Sequence, residues 1–347
     1  MLPCPAPPTD LLALDVGGAN IKAADGRGWT HAEPFALWRE WRRLPEVLER
    51  IVRSLTPRRI VATMTGEIAD CYASRAAGVR HIVAALEQVA TAARCDTPPE
   101  IYLLDGRLVP PTEALRQPLL AAASNWHALA RLAAQHATAD RCLLLDVGST
   151  TVDIVPIVAG RPAPLAGDDA GRLRTGELVY TGVERTPVAA LVRRLPHAGI
   201  FRPVAAEVFA TSRDAWLLLG ELPEDAGARD GADGGPATAD AARRRLARTM
   251  LLEADAVSAD DAAAAAAHVA AAQARIVSRA LARVAIGNGW RPNCIVLSGH
   301  GPRLARMAID RTQWSPTIVP LAERLGTAVS RAAPAHALAL IARGTIP

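Results

Sequence analysis

At 347 residues the chain exceeds a usual single core, so two domains are the default expectation, and half of its residues are hydrophobic although only 4% are aromatic. The net charge of +4 is modest and the arginines lie scattered among acids, which gives no reason to expect a nucleic-acid partner. Five widely spaced cysteines, an odd number with no Cys-x-x-Cys, argue against a disulfide framework or structural zinc and favour a reducing cytosol. Met1 to Thr9 is proline-rich without a signal region, and no apolar run approaches the roughly 20 residues that span a bilayer. A cytoplasmic protein without a membrane partner is expected.

The first element, Leu11 to Ala24, reads as strand, tight turn, strand. Four apolar residues lead to Asp15, Gly17 and Gly18 follow, and an alternating segment leaves through Asn20 and Lys22. Glycine permits the positive φ of a sharp turn and lets a ligand approach bare backbone N–H groups. A carboxylate at the end of a buried strand is where a metal-bound phosphate can be met. Lys22 is the only lysine; the other 38 of the 39 Lys+Arg residues are arginines. In so biased a chain a lysine points to a compact charge for phosphate, against the plainer reading of a solvated strand edge.

Gly28 to Phe35 could add a third strand, and Trp38 to Leu55 has helical spacing. Arg59 to Met64 is a short buried strand ending in Thr65-Gly66-Glu67-Ile68-Ala69-Asp70. Thr65, Glu67 and Asp70 are well placed to line a cleft, or Thr65 or Asp70 simply caps the next helix. Arg75 to Ala93 is a helix, Glu100 to Leu104 a strand, and Pro118 to Ala137 a long helix carrying His127 as a packed residue rather than a metal ligand.

The opening pattern then recurs. Leu143 to Ile154 has the same frame, so that Asp146 aligns with Asp15, Gly148 with Gly17, Thr151 with Asn20 and Asp153 with Lys22. Two copies 131 residues apart (146 minus 15) imply two related halves, each offering a phosphate loop to a shared cleft, the second through Gly148, Ser149, Thr150 and Thr151. Asp168 to Arg172 reads as a surface loop. Gly176, Glu177 and Tyr180 follow as a second cleft wall, though an ordinary strand and turn would read the same. Val208 to Leu219 is helical, Pro223 to Pro236 a flexible loop, and Ala239 to Leu252 and Ala262 to Gly287 are alanine-rich helices, the second after an N-cap-like cluster at Ser258. Asn293 to Pro302 gives strand, glycine turn and helix start, with Gly299 and Gly301 as a third anion-attracting turn. A last strand, Ser315 to Val319, precedes a helix broken near Pro334.

Two Asp-x-Gly hairpins and a late Gly-x-Gly turn resemble the actin-like ATPase and sugar-kinase superfamily, and Asp15-Val16-Gly17-Gly18 looks like its hydantoinase and oxoprolinase branch. Nearly the whole chain, through Asp15–Ala24, Thr63–Glu67, Ala123–Trp126, Asp146–Ile154 and Thr175–Gly182, is similar to the methanofuran-biosynthesis ether synthase family linked to tetrahydromethanopterin-dependent one-carbon transfer. The resemblance implies an α/β fold of two actin-like ATPase (ribonuclease H-like) domains flanking a phosphate-binding cleft. It sets the first at residues 1–118 with a C-terminal helix, 331–347, packed back on it, and the second at 119–330. It implies a condensation in which (5-(aminomethyl)furan-3-yl)methyl diphosphate loses diphosphate as the phenol oxygen of γ-glutamyltyramine, or an analogue, attacks its CH2 group. ATP is not required in that reaction. Asp15 and Asp146 would flank Mg²⁺, Lys22 would steady the leaving diphosphate, and a base, with Glu67 among the catalytic candidates, would serve the phenol. The competing expectations are an ATP-dependent kinase or amidohydrolase, and a non-catalytic nucleotide-binding scaffold.

Overall fold

The structure is a computed structural model that describes residues 9–347, so Cys4 and the proline-rich start, apart from Thr9, lie outside the described residues. The described chain divides into two compact units: residues 9–142, 157–169 and 319–347, and residues 143–156 and 170–318. No helix among the described residues is long and apolar enough to cross a membrane.

The first sheet is made of β1 (Leu11–Val16), β2 (Asn20–Ala24), β3 (Thr30–Pro34), β4 (Arg59–Met64), β5 (Glu100–Tyr102) and β6 (Leu108–Val109), in the order β3-β2-β1-β4-β5-β6. β1 and β4 run parallel at the centre, which explains why β1 is buried throughout rather than in alternation. Leu12, Leu14 and Val16 join a core with Leu44, Val47, Leu48 and Ile51 of helix Leu44–Arg53 and Val79, Ile82, Val83 and Leu86 of helix Arg75–Ala92. By the period of two, Ala13 and Asp15 belong to the other face. There helix Ala333–Ala342 packs on β1, β2 and β4.

The expected helix from Pro118 to Ala137 is two: Pro118–Ala121 and Asn125–Ala134. Ala123 breaks it with φ at 49°, a left-handed conformation no alanine propensity foretells. Asn125–Ala134 packs against Ala333–Ala342, and the first unit therefore continues past residue 118 to Cys142. The long helix expected over Trp38–Leu55 is likewise split by a 3₁₀ turn at Trp41–Arg43, with Pro45 in the first turn of the second piece.

In the second sheet β7 (Arg141–Val147) lies between β8 (Val152–Val158), which also carries the short β9 (Arg161–Pro162) and leads to β10 (Leu178–Val179), and, past a separate hairpin of β11 (Arg194–His197) and β12 (Ile200–Pro203), β13 (Cys294–Gly299) and β14 (Thr317–Pro320). Helix Ala259–Asn288, 30 residues long and capped by Ser258, lays Ala270, Ala274, Val277, Leu281 and Val284 on Leu143, Leu145, Val152 and Ile295. Asp168 to Arg172 is not a surface loop. Asp169 opens helix Asp169–Thr175, and Arg172 is buried, donating to Asp153 at 2.9 Å and to the carbonyl of Glu177.

The loop Pro223–Pro236 has a scaffold that its composition hides. Asp225 pairs with Ala237, and the buried Arg245 donates to Asp214 at 2.8 Å, to Asp233 at 3.1 Å and to the carbonyl of Pro236. Removing one partner of such a buried pair strands the other charge. Arg245→Met is therefore expected to lower unfolding stability by about 3–5 kcal/mol in urea titration. Adding Asp214→Asn should cost less than the sum of the two single changes, and strict additivity would exclude the coupling.

Candidate functional site

Each unit carries one glycine hairpin, and the two close in the same way. Gly17 N–H donates to the carbonyl of Asn20 at 3.0 Å, and Gly148 N–H to that of Thr151 at 2.9 Å. The repeat seen in the sequence is thus a repeat of hydrogen bonding. Positive φ is not the reason for these glycines, since neither Gly17, Gly18 nor Gly148 has it. At Gly17 the reason is contact: a Cβ would stand 2.7 Å from the Asn20 carbonyl oxygen. At Gly18 a Cβ would meet nothing within 4 Å, and its carbonyl accepts from Leu37 N–H at 3.1 Å.

In the first unit the antiparallel register of β1 and β2 sets Asp15 directly opposite Lys22. Their charges lie 3.7 Å apart, with Asp15 buried and Lys22 partly open to solvent. Lys22 is half-exposed in the same sense as Asn20, whereas Ile21 and Ala23 between and beyond them are buried, as strand alternation requires. The Asp15 side chain also meets Asn125. Burial pushes its carboxyl upward in pKa, against the opposing pull of Lys22 and Asn125, and its Oδ1 has no hydrogen-bond partner among the described residues.

The segment after β4 crosses the mouth of this hairpin. Thr65 N–H donates to the carbonyl of Val16, and Thr65 Oγ1 is 3.6 Å from where a Gly17 Cβ would stand. Thr65 does not cap with its side chain, and the following long helix is capped by Ser74, not by Asp70, which is exposed. Glu67 is buried. The turn Ala122–Ser124 ties this segment in: Ser124 Oγ and Thr63 Oγ1 share a hydrogen bond of 2.7 Å, and the Ala123 amide lies near Glu67. Asp15, Lys22, Gly17, Asn20, Thr65 and Glu67 are thus gathered around one hairpin, and Asn125 joins them. Asn125 stood in a stretch that carried the family resemblance, yet an amide at a helix start offers no chemical signal of its own.

In the second unit Asp146 lies at the end of β7, and Ser149 is covered by a loop that begins in the expected second cleft wall, at Thr181 and Gly182, and runs on through Val183, Glu184 and Arg185, which the sequence did not single out. The N–H groups of Glu184 and Arg185 both donate to the carbonyl of Ser149, and that of Val183 to Gly148. Gly182 lies so close that a Cβ would be 2.4 Å from the Ser149 carbonyl carbon. Wholly buried Gln273 holds this loop, donating to Thr181 Oγ1 at 2.9 Å and to the Gly182 carbonyl at 2.6 Å while accepting from Trp216. A glutamine inside an alanine-rich helix was the available clue. The third glycine turn does reach this hairpin: His300 N–H donates to the Val147 carbonyl, and Gly299 and Gly301 press against Val147. Close packing thus accounts for both glycines, while Gly301 also precedes helix Pro302–Asp310 with proline at its first position. Gly176, Glu177 and Tyr180 flank β10, whose Leu178 and Val179 pair with Asp153 and Val152 of the second hairpin. Gly176 ends helix Asp169–Thr175 at φ 89°, Glu177 accepts from Thr175 at 2.8 Å inside the unit, and Tyr180 is 61% exposed.

Two α/β units, each opened by an Asp-x-Gly hairpin, define the actin-like ATPase fold class. The chain aligns with the nucleotide-free structure of an acetone carboxylase at TM-score 0.52 and 10% identity, covering 96% of this chain and 70% of that one, a likeness of fold alone. Over residues 58–342 the sequence matches the Hydantoinase/oxoprolinase family, to which this protein belongs. It is 29% identical over 332 residues to the (4-{4-[2-(gamma-L-glutamylamino)ethyl]phenoxymethyl}furan-2-yl)methanamine synthase of Methanocaldococcus jannaschii, covering 95% of this chain and 96% of that protein. The protein of the same name from Methanococcus vannielii is 28% identical over 59% of this chain and 92% of its own length.

Proposed function

We propose that this protein is a transferase that joins a furanylmethyl diphosphate to a tyramine-type phenol, releasing diphosphate and forming an aryl ether. The observation that carries this reading is the end-to-end similarity to a synthase whose product name contains a phenoxymethyl-furan linkage. The substrates are proposed as (5-(aminomethyl)furan-3-yl)methyl diphosphate and γ-glutamyltyramine or an analogue, and the compartment as the cytoplasm, in keeping with the thiols of Cys71 and Cys95.

The hairpins supply what loss of diphosphate needs. The transition state gathers negative charge on the departing oxygens, so donors already aimed at that charge lower the barrier most. Lys22 offers a compact cation held by Asp15 at 3.7 Å, and Gly18 leaves the space of a side chain open beside it. Magnesium fits this donor set: Asp15 Oδ1 is buried without a hydrogen-bond partner among the described residues, and Mg²⁺ takes one or two carboxylates beside substrate phosphates and its own waters. Asp15 is the residue proposed to hold it in the first unit, Asp146 is proposed as the corresponding carboxylate of the second hairpin, and when bound the ion would neutralise diphosphate charge. ATP has no role in this chemistry.

The test is to incubate the purified protein and Mg²⁺ with the furanylmethyl diphosphate and a tyramine acceptor, or with ATP and the acceptor, and to assay diphosphate and ether. Ether and diphosphate in equal amounts are expected from the first mixture. ATP turnover without ether would overturn the proposal in favour of a kinase or amidohydrolase. Asp146→Asn keeps size and removes charge, and is expected to abolish most Mg²⁺-dependent turnover while the thermal melt barely moves. Full turnover in that variant would remove Asp146 from the metal site.

A further inference from the structure

The proposed reaction needs a proton acceptor, and one buried group is left over once the diphosphate-binding residues are assigned. Glu67 is 1% exposed, and neither of its carboxylate oxygens makes a well-formed hydrogen bond among the described residues, although its own amide and that of Ala123 lie near. Buried carboxylates are ordinarily paired, so one without a well-formed hydrogen bond requires a reason. Its backbone is clamped. Gly78, in helix Arg75–Ala92, lies so close that a Cβ there would be 2.2 Å from the Glu67 carbonyl oxygen.

The charged groups that face Glu67 are Arg75, at the start of that helix, and Asp169, and these two pair with each other at 2.7 Å. Asp15 is engaged with Lys22. The other polar side chains gathered around this hairpin, Thr63, Thr65, Ser124 and Asn125, are hydroxyls and an amide, which hold no extra proton near neutral pH. Resting on the transferase reading, we propose that Glu67 is the general base that takes the proton of the phenol acceptor.

In the step, the phenol O–H bond breaks and its proton passes to a Glu67 oxygen. The phenol oxygen's electron pair forms the new bond to the furanyl CH2 carbon. The bond from that carbon to the diphosphate oxygen breaks, and its pair leaves with diphosphate. Glu67 then returns its proton to solvent. Burial pushes the Glu67 carboxyl up to about 7, with its own and Ala123's backbone amides and the Arg75 charge opposing and Asp169 assisting. A carboxylate near 7 is a stronger base toward a phenol of about 10 than one at the ordinary value.

The experiment compares wild type, Glu67→Gln and Glu67→Asp between pH 5.5 and 9, with γ-glutamyltyramine and with a ring-fluorinated, more acidic analogue. Wild-type turnover is expected to rise through about pH 7. Glu67→Gln should lose that limb and fall by about 100- to 1,000-fold with the ordinary phenol. The loss should shrink at least about tenfold with the acidic phenol, which ionises with less help. Glu67→Asp keeps a carboxylate and should recover part of both the rate and the pH limb, and it carries the same two-acceptor comparison if the Gln protein does not fold. A variant that keeps full rate, or loses the same factor with both acceptors at every pH, overturns the assignment and leaves the transferase reading standing. Wild-type protein that makes no ether from either phenol overturns both.

Discussion

Lys22→Ala is expected to cut the rate of diphosphate release by about 100- to 1,000-fold, the usual cost of one well-placed charge donor in a site that stabilises a leaving anion. The expectation comes from geometry. Antiparallel register leaves Lys22 one position to occupy, across from Asp15, and the 3.7 Å contact holds its ammonium there. Lys22→Arg should restore only part of the rate, because a planar fork needs different room from a compact ammonium. Lys22→Ala removes the cation beside the buried Asp15 and should lower the melting temperature, whereas Lys22→Arg keeps a cation there and should leave it nearly unchanged. Rapid-quench measurement of diphosphate release separates the outcomes. Equal rates in the three proteins would mark Lys22 as a strand-edge residue.

The second large effect is on stability and follows from Glu67. Its carboxyl titrates near 7 when folded, against an ordinary value of 4.5. The folded chain therefore holds a proton that the unfolded chain releases between those two values. The stabilisation this represents is full below about pH 4.5 and is lost as pH rises through about 7. The total is about 3 kcal/mol at 1.36 kcal/mol per unit. Glu67→Gln cannot release a proton, so its unfolding free energy should lose that slope and exceed the wild type's at pH 8 by up to this amount. Groups such as Asp10 and Asp105, held below the usual carboxylate range by arginines, act at lower pH and cancel in the comparison. Urea titrations of both proteins at pH 5 and pH 8 test it. Parallel lines would mean that Glu67 stays ionised throughout.

The parts of the fold legible in the sequence were those in which one physical rule dominates. An apolar run, an aspartate and a glycine could hardly be anything but a strand and turn, and its second copy announced the two-unit plan. Helix Ala259–Asn288 was legible because alanine content and a serine cap agree. The break at Ala123 was not, because alanine is the best helix former and tertiary packing overrides it there. Nor was the burial of Arg172, since an Asp-Asp-Ala-Gly-Arg run reads as solvent-loving until Asp153 supplies a partner 19 residues away. The same limit applies to the site. Asp15 and Lys22 share a local register, whereas Asn125, Gln273 and the Gly182 loop reach the hairpins only through folding. Glu67 could be chosen as a candidate, but no pattern reveals that both of its oxygens are buried without a well-formed hydrogen bond among the described residues.

The left-handed alanine at position 123 has a consequence for precision. Its conformation costs roughly 1–2 kcal/mol in an L-residue, and glycine would escape that cost. Glycine would also enlarge the freedom of the unfolded chain, giving back roughly 0.4–1 kcal/mol. The exchange is thus close to balanced in stability but not in stiffness. A glycine can swing out of this basin into many others, whereas an alanine held there by its neighbours has few alternatives. Ala123 behaves as a detent, a small strained catch that keeps the backbone beside Glu67 and the start of the Asn125 helix from drifting while turnover proceeds.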